Sequence, residues 1–369
     1  GDVLNFIYSY VKQRGYEVNW NAENGTHSVT LEGTPKEGTI NTFVNLINNG
    51  ANINGIVNAL QSVGGGLKTD GNLVFISPNG MVVGASGVLN VGNLSVISPT
   101  QTSYDKLSDY LALPTSSGKM IRTIDVVENN PVTEGKYTLK TTYKDVNIAV
   151  DTNKTLNLST LTDGSGNQLV LGGGAIRVDA GGKIAARGNV DLQGGTIANN
   201  GLLIAGVGGN TEVLTSHSAA DALFTKLVNT DNINTGNTFS SNNGNISIKS
   251  VTGTSVGNGG IVHNYGKGNV TIDNSGVDGI NVAGRVSNLN GATTITNTNG
   301  KLLVDSTGLI ASGIGGTDST LLVSNTGNGG MNIKGSVVAN HGNKTNTVNF
   351  VNKNSNMSIG STGVNKNIT

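Results

Sequence analysis

Residues 71–99 contain four short apolar runs separated by turn-forming residues, and this pattern constrains the fold more than any other feature. The runs occupy 73–76, 81–83, 88–91 and 94–97, with Gly, Asn, Pro or Ser between them. Such runs and separators are typical of β-strands joined by turns. Leu73 recurs as Leu94, 21 residues later, which is a solenoid period. We therefore expect an all-β fold, a right-handed parallel β-helix.

The rest of the chain repeats in a similar way. Ile176 recurs as Ile197 at the same spacing. From residue 244 the repeat becomes explicit: NISIKS, NVTIDN, TTITNT, TLLVSN and TVNFVN begin at residues 245, 269, 293, 320 and 347. Most of these strands are followed by a Gly and then by a second strand, as in GINVAGRVSN. Each repeat is predicted to form one coil, and about 14 coils would make a rod about 65 Å long.

The residue types predict how each coil is built. Ile, Val and Leu point inward, while Gly and Asn occupy the corners because they tolerate a positive φ. Stacked Asn side chains are expected to hydrogen-bond along the axis from coil to coil. A solenoid also escapes the size limit of a single globular core, since each coil contacts only its neighbours. This matters for a chain of 369 residues.

Composition excludes several classes of partner. The chain has 23 basic and 23 acidic residues, and only 12% of its residues are charged, against about 25% in typical proteins. No Lys/Arg cluster offers a footprint for nucleic acid or anionic lipid, so no nucleic-acid partner is predicted. No apolar run approaches the roughly 18 residues needed to span a bilayer, and no signal peptide is present. The chain opens and stops in mid-pattern, which we interpret as a fragment of a longer secreted protein.

Four regions are predicted in order along the chain. Residues 1–100 form the first coils behind an N-terminal cap in residues 1–33, which contain the sole tryptophan, Trp20. Within them, 40–63 fits strands with Asn turns better than an amphipathic helix, because Asn and Gly disfavour a helix. Residues 101–150 are read as an excursion with a short helix over 103–114 and a hairpin in 119–150. Residues 151–243 continue the coils and carry a helix near 216–228 after a Ser cap. Residues 244–369 are the regular repeats.

A family resemblance rests on the segment SPNGMVVGASGVLNVGNLSVISP, which begins at Ser77. It resembles the central motif of the secretion domain of filamentous-haemagglutinin-type exoproteins of the two-partner secretion pathway. The family pattern is an Asn-Pro-Asn-Gly turn before an apolar strand; Ser77 replaces the first Asn, and Pro78, Asn79 and Gly80 match. The segments GDVLNFIYSY and ANINGIVNALQSVGGGLKTDGNL also resemble that domain. A second family motif, Asn-Pro-Asn-Leu, is absent.

The resemblance implies a function for the turn at residues 77–80. It implies that the turn nucleates the domain and engages the periplasmic domains of a cognate outer-membrane transporter. The alternative interpretation is that residues 77–80 are only a tight corner, which any β-helix needs. The absence of Cys suits a chain that crosses the periplasm and an outer-membrane pore unfolded.

Residues with catalytic or ligand-binding chemistry are scattered. The four His, at 27, 217, 263 and 341, have no partner at metal-ligand spacing and are interpreted as solvated or turn residues. TDGSGNQ at 162–168 lacks the closing Glu of a calcium loop, and the GGG runs at 64 and 172 lack the Lys-Ser/Thr of a phosphate loop. Both are predicted to be turns, and no cofactor or metal site is predicted. Asn-x-Ser/Thr triplets leave glycosylation open; they are Asn93, Asn153, Asn269 and Asn343.

Three hypotheses of function follow. The leading one is a non-enzymatic, monomeric rod: the secretion domain and first shaft repeats of a large adhesin, secreted to the surface of a Gram-negative-type bacterium, where it binds a receptor. The second keeps this fold as the stalk of a contact-dependent toxin. The third is a β-helical polysaccharide lyase or hydrolase, which needs clustered carboxylates. The coil acids do not recur in register; they are Asp179, Asp191, Asp273, Asp278 and Asp305.

Overall fold

A computed structural model describes most of the chain. The described residues are 17–23, 26–32, 42–59, 61–63, 66–111, 120–128, 139–147, 156–158, 160–163, 165–208, 213–228, 240–241, 243–315, 318–339 and 346–360. Most strands pair in parallel across successive turns of the chain, so the fold is a parallel β-helix, as predicted. No helix in these ranges is long and apolar enough to cross a membrane.

Each complete coil contributes to three ladders of parallel strands, called sheet 1, sheet 2 and sheet 3 and visited in that order. Sheets 1 and 2 are two parts of one 16-stranded sheet, and sheet 3 is a separate eight-stranded sheet. The nine strands of sheet 1 are Thr42–Leu46, Asn72–Ile76, Asn93–Ile97, Val190–Asn199, Ile246–Val256, Val270–Asn274, Thr293–Asn297, Ser319–Asn325 and Asn346–Asn352. The two longest of these continue around the corner into sheet 2.

Sheets 2 and 3 complete the coil. The further strands of sheet 2 are Ala51–Ile53, Met81–Val83, Ile176–Val178, Gly279–Val282, Leu302–Val304, Met331–Ile333 and Met357–Ile359. The strands of sheet 3 are Ile56–Asn58, Val88–Val91, Lys183–Ala186, Leu202–Ala205, Ile261–Asn264, Arg285–Asn288, Leu309–Ser312 and Ser336–Ala339. Each coil after Gly244 therefore has up to three strands, where the sequence predicted two.

The described residues form nine coils, whereas about 14 were predicted for the chain. They span 42–58, 72–91, 93–186, 190–205, 246–264, 270–288, 293–312, 319–339 and 346–359, and are numbered 1 to 9 below. At about 4.8 Å between neighbouring strands the stack is about 38 Å long. The estimate of 65 Å was wrong because it counted the excursions as coils.

The predicted repeats pair as expected, apart from a shift of one residue. Leu73 lies opposite Leu94, and Ile176 opposite Ile197. Val270 pairs with Thr293, whereas the starting points chosen from the sequence would place Asn269 there. Inward residues of all three sheets form one apolar core, because side chains alternate between the two faces of a strand.

Within the described ranges, two helices and five antiparallel strand pairs leave this path. Helix α1 (Gln101–Leu111) begins two residues before the predicted segment, and α2 (His217–Leu227) follows the Ser216 cap as predicted. The antiparallel pairs are Glu17–Glu23 with Thr26–Glu32, Gln61–Val63 with Gly66–Lys68, Met120–Glu128 with Leu139–Asn147, Leu156–Asn157 with Thr162–Asp163, and Val207–Gly208 with Ser240–Ser241. The segment predicted as a cap includes the first pair, which lies against Ile56–Asn58; residues 1–16 lie outside the described ranges.

The helices cover the outer faces of the early coils. Leu107 of α1 packs with Val74, Ile76 and Ile97, which point outward from sheet 1. Helix α2 packs in the same way on the outer face of sheet 3. Helices α1 and α2 are thus docked layers, and the sheet residues that they cover are buried.

Candidate functional site

The predicted secretion motif forms the corner between sheets 1 and 2 in coil 2. The Gly80 N–H donates to the Ser77 carbonyl oxygen at 3.1 Å, which closes a β-turn. The Asn79 N–H donates to the Ser77 hydroxyl oxygen at 3.2 Å. Gly80 has φ 77°, in the left-handed region that glycine adopts without strain. The residue types of the motif therefore match the turn they form.

Coil 1 packs against one side of this corner. The Asn79 side-chain amide donates to the Asn48 carbonyl oxygen at 2.5 Å, and the Ala51 N–H donates to the Gly80 carbonyl oxygen at 3.1 Å. Gln101, the first residue of α1, donates to the Asn48 side-chain oxygen at 2.9 Å. Asn79 thus links the corner to coil 1 and, through Asn48, to the first excursion.

Coil 3 packs against the other side through the glycine run 172–174. The Gly174 N–H donates to the Pro78 carbonyl oxygen at 2.6 Å. A Cβ on Gly80 would lie 2.1 Å from the Ala175 carbonyl oxygen, closer than atoms in a native core approach. The glycine run is therefore a packing corner, as predicted. Its partnership with residues 77–80 was not predicted, because nothing in the local sequence relates segments almost 100 residues apart.

Burial leaves little of the corner in contact with solvent. Ser77, Pro78 and Gly80 are buried, whereas Asn79 is exposed. In the folded chain, the Asn79 side chain is the part of the motif that a partner would meet.

The Ser77 position belongs to a column that runs the length of the β-helix. Successive sheet 1 pairings place Ser77 in line with a serine or glycine in the next three coils and an asparagine in each of the last four. The column is Ser77, Ser98, Gly194, Ser250, Asn274, Asn297, Asn325 and Asn352.

The asparagines of this column form the hydrogen-bonded ladder that the sequence predicted. The side-chain amide of each donates to the side-chain oxygen of the next: Asn274 to Asn297 at 2.7 Å, Asn297 to Asn325 at 2.7 Å, and Asn325 to Asn352 at 2.9 Å. Three of the four are fully or almost fully buried. Because a buried polar group without a partner is costly, the ladder also fixes the vertical register of coils 6 to 9.

The carboxylates of the coils do not form a catalytic cluster within the described ranges. Asp191 and Asp273 both lie on the outer face of sheet 1, but in different columns and two coils apart, with Lys249 on the strand between them. Burial raises the pKa of both carboxyl groups, while hydrogen bonds, from Gln193 in the case of Asp191, oppose the shift. The remaining three lie outside sheet 1; they are Asp179, Asp278 and Asp305.

The histidines divide into two kinds. His217 bonds through Nε2 to the Ser86 carbonyl oxygen at 2.9 Å on the protein surface. His263 is fully buried, so the prediction of a solvated or turn residue was wrong for it. It lies on the sheet 3 strand Ile261–Asn264, next to Tyr265, which contacts the end of α2. The local sequence does not reveal this environment. Nothing is described for the His27 side chain or for His341.

Asp163 organises the turn that faintly resembled a calcium loop. Its carboxylate accepts hydrogen bonds from the backbone N–H groups of Ser165 and Asn167, both at 2.9 Å, and from the Asn167 side chain at 3.0 Å. Burial raises the pKa of the Asp163 carboxyl group, but these hydrogen bonds lower it, and the pKa lies below its ordinary value. Among the described residues no group of three metal-ligating side chains occurs.

Two of the glycosylation triplets lie in the structure. The Asn93 side chain donates to Asn72 at 2.6 Å and accepts from the Asn189 N–H at 2.6 Å. Asn269 accepts from the Ala292 N–H at 3.1 Å. Both therefore take part in an outer ladder between coils. Asn153 and Asn343 lie outside the described residues.

No protein-family model matches the chain, and no curated protein or solved structure shows significant similarity to it.

Proposed function

We propose that this chain is the N-terminal secretion domain and first shaft coils of a large filamentous adhesin. A cognate outer-membrane transporter of the two-partner type exports it through contacts of its periplasmic domains. The product is a secreted or surface-attached, non-enzymatic and monomeric rod on a Gram-negative-type cell, where it binds a surface receptor. The observation that carries the proposal is the 77–80 corner, whose residues resemble the family turn and join three consecutive coils.

The mechanism follows from how the corner is enclosed. Coil 2 completes its contacts only when coil 3 docks on Pro78 and Gly80. Each further coil then buries its inward row on the edge left by the last. In a chain that emerges N-terminus first, this docking outside the cell opposes return through the pore.

Secretion with a co-expressed candidate transporter tests the proposal, and the chain offers a matched pair of glycines. Gly80 and Gly259 both have positive φ, 77° and 85°, but a Cβ on Gly259 meets nothing within 4 Å. Alanine at either position costs the strain of the left-handed backbone, about 1–2 kcal/mol. At Gly80 alone, the alanine Cβ would also clash with the Ala175 carbonyl oxygen and force coil 3 away. We expect Gly80→Ala to abolish secretion and Gly259→Ala to reduce it little.

A second pair separates transporter contact from folding. Asn79→Ala removes the exposed side chain and its bond to Asn48, and Asn258→Ala removes an exposed asparagine at a comparable corner of coil 5. Binding to the transporter's purified periplasmic domains should fall for Asn79→Ala alone. Deleting residues 1–100 should end partner-dependent secretion. Secretion that does not require the transporter, and that persists after the deletion and in Gly80→Ala, would contradict the proposal.

Of the other two hypotheses, the polysaccharide lyase or hydrolase has a separate test with this chain. A toxin stalk would have the same coils, and the activity would lie in other parts of the protein. A polysaccharide lyase or hydrolase is favoured by one observation, the raised pKa values of Asp191 and Asp273 on one sheet face. Glycan cleavage by the purified chain that is lost in both Asp191→Asn and Asp273→Asn would establish the enzyme instead.

A further inference from the structure

Residues 213–228, called the strap below, cross the outer face of sheet 3 and tie coils 1 to 5 together. The Asn58 side chain of coil 1 donates to the Leu214 carbonyl oxygen at 2.8 Å and accepts from the Leu214 N–H at 3.0 Å. Lys183 of coil 3 pairs with Asp221 of α2 at 3.1 Å. These contacts join residues up to 156 positions apart, so the strap returns from coil 4 to the start of the stack.

The inner side of the strap is apolar. Leu223, Phe224 and Leu227 are buried against a row of outward-facing residues on sheet 3. The row runs across coils 1 to 4 and consists of Ile56, Val88, Ala185 and Ile204. If the strap lifted, this row would be exposed to water, which costs about 25 cal/mol for each Å² of apolar surface.

The far end of the strap is held by coil 5. The Tyr265 hydroxyl donates to the Leu227 carbonyl oxygen at 2.5 Å, at the last residue of α2. His263 packs edge-on against Tyr265, with ring centroids 4.6 Å apart. The imidazole Nδ1 lies 2.9 Å from the Ser287 hydroxyl oxygen, and the buried Nε2 has no hydrogen-bond partner.

No carboxylate of the described residues stabilises a charge on this imidazole. The charged group that acts on it is Arg285 of coil 6, which is also cationic. The neighbouring strand Leu202–Ala205 carries no ionisable side chain, and the buried face of α2 is apolar. The charged residues Asp221 and Lys226 of α2 are exposed. His263 is therefore held neutral in the closed structure, against the ring of Tyr265, whose hydroxyl holds the strap.

We propose that the strap is an acid-released latch, in which protonation of His263 opens the end of α2 and exposes the apolar row beneath it. The inference does not depend on the proposed function. It rests on the complete burial of His263, the unpartnered Nε2 and the contact with Tyr265.

Linkage gives the direction and pH range. Burial, and then Arg285, lower the pKa of His263 from 6.5 to about 3. The proton is excluded from the closed form and binds the open form, so closure is fully stable above pH 6.5 and weakens as pH falls towards 3. One proton per opening event raises the opening constant tenfold for each pH unit in that range. From pH 7.5 to pH 4.5 the increase is about 100-fold.

Amide hydrogen exchange of the full chain measures this opening. The amides of Leu223, Phe224 and Leu227 should lose protection about 100-fold between pH 7.5 and pH 4.5, after correction for intrinsic exchange. Amides of Val270–Asn274 serve as an internal reference and should keep their protection. His263→Gln removes the titrating group and should abolish the pH dependence. A strap that keeps its protection at pH 4.5, or a His263→Gln chain with the wild-type pH dependence, would overturn the proposal.

Three further variants keep the test decisive if His263→Gln folds poorly. Tyr265→Phe removes the bond to Leu227 but leaves the imidazole, so protection should fall equally at every pH while the slope remains. His217→Gln and Asp221→Asn remove the contacts of the strap with Ser86 and Lys183, and both should retain the wild-type slope. A slope that disappears in Asp221→Asn would assign the switch to the Lys183 ion pair and refute the role of His263.

Discussion

Coils 1 to 5 and coils 6 to 9 share one backbone path but present different outer surfaces. In coil 2, Val74 and Ile76 point outward from sheet 1 and are buried beneath α1. The equivalent positions in coil 6 are Thr271 and Asp273, which are partly exposed. On sheet 1, coils 1 to 3 are therefore the middle layer of a thicker structure, whereas the outer face of coil 6 is partly exposed to water.

The two regions also solve the problem of register differently. Coils 6 to 9 carry the buried ladder that begins at Asn274, and the hydrogen bonds of its members stay within one coil or reach an adjacent coil. Coils 1 to 5 have serine or glycine at most of these corners, and their long-range ties come from α1 and the strap. Nearest-neighbour contacts give repeat-like stability that adds coil by coil, whereas a strap across five coils makes them unfold together.

The largest effect is expected from Phe224→Ala, which removes the aromatic ring at the centre of the strap. Phe224 is 2% exposed, and truncating a buried Phe typically costs 3–5 kcal/mol. We expect that loss to appear in every coil from 1 to 5, measured as a drop in the opening free energy by hydrogen exchange, with coils 6 to 9 unchanged.

Phe350 of coil 9 provides the matched control. It packs against the inner core but is only partly buried. Phe350→Ala should cost less and should weaken coils 8 and 9 alone. The distinction between the regions fails if Phe224→Ala destabilises only the coil nearest to it.

A smaller effect is expected when the ladder is interrupted at Asn297. Asn297→Ala removes the donor to Asn325 and leaves the Asn274 amide without its 2.7 Å acceptor. An unsatisfied buried group costs about 1–3 kcal/mol, and we expect coils 6 to 8 to lose that amount in chemical denaturation. Asn281→Ala, on the exposed side of the same region, should change stability by less than about 0.5 kcal/mol. Equal effects of the two substitutions would show that the ladder contributes nothing.

Sequence reasoning succeeded where the signal is local and repeated. The pairing of Leu73 with Leu94 followed from a fixed period, since residues one coil apart occupy equivalent positions. Helix α2 was predicted from Ser216 and the spacing of apolar residues behind it. The Asn ladder was predicted because stacking places identical side chains above one another.

Sequence reasoning failed where the structure depends on contacts between distant segments. The docking of Leu214 on Asn58 joins residues that no local pattern relates, so the sequence predicted helix α2 but not its docking across coils 1 to 5. The burial of His263 became apparent only once the structure placed its strand beneath the strap. At the candidate site, a turn at residues 77–80 was predicted and is present, but its enclosure by Asn48 and Gly174 was not predicted.

Native-state hydrogen exchange of the unmodified chain at neutral pH tests the central claim most directly, that the strap makes coils 1 to 5 one cooperative unit. We predict that amides of Val88–Val91 in coil 2 and of Ile261–Asn264 in coil 5 share one opening free energy. The values for Val270–Asn274, Thr293–Asn297 and Ser319–Asn325 should fall in that order towards coil 9. Opening of coil 2 independently of coil 5, or a single value for all nine coils, would contradict the account.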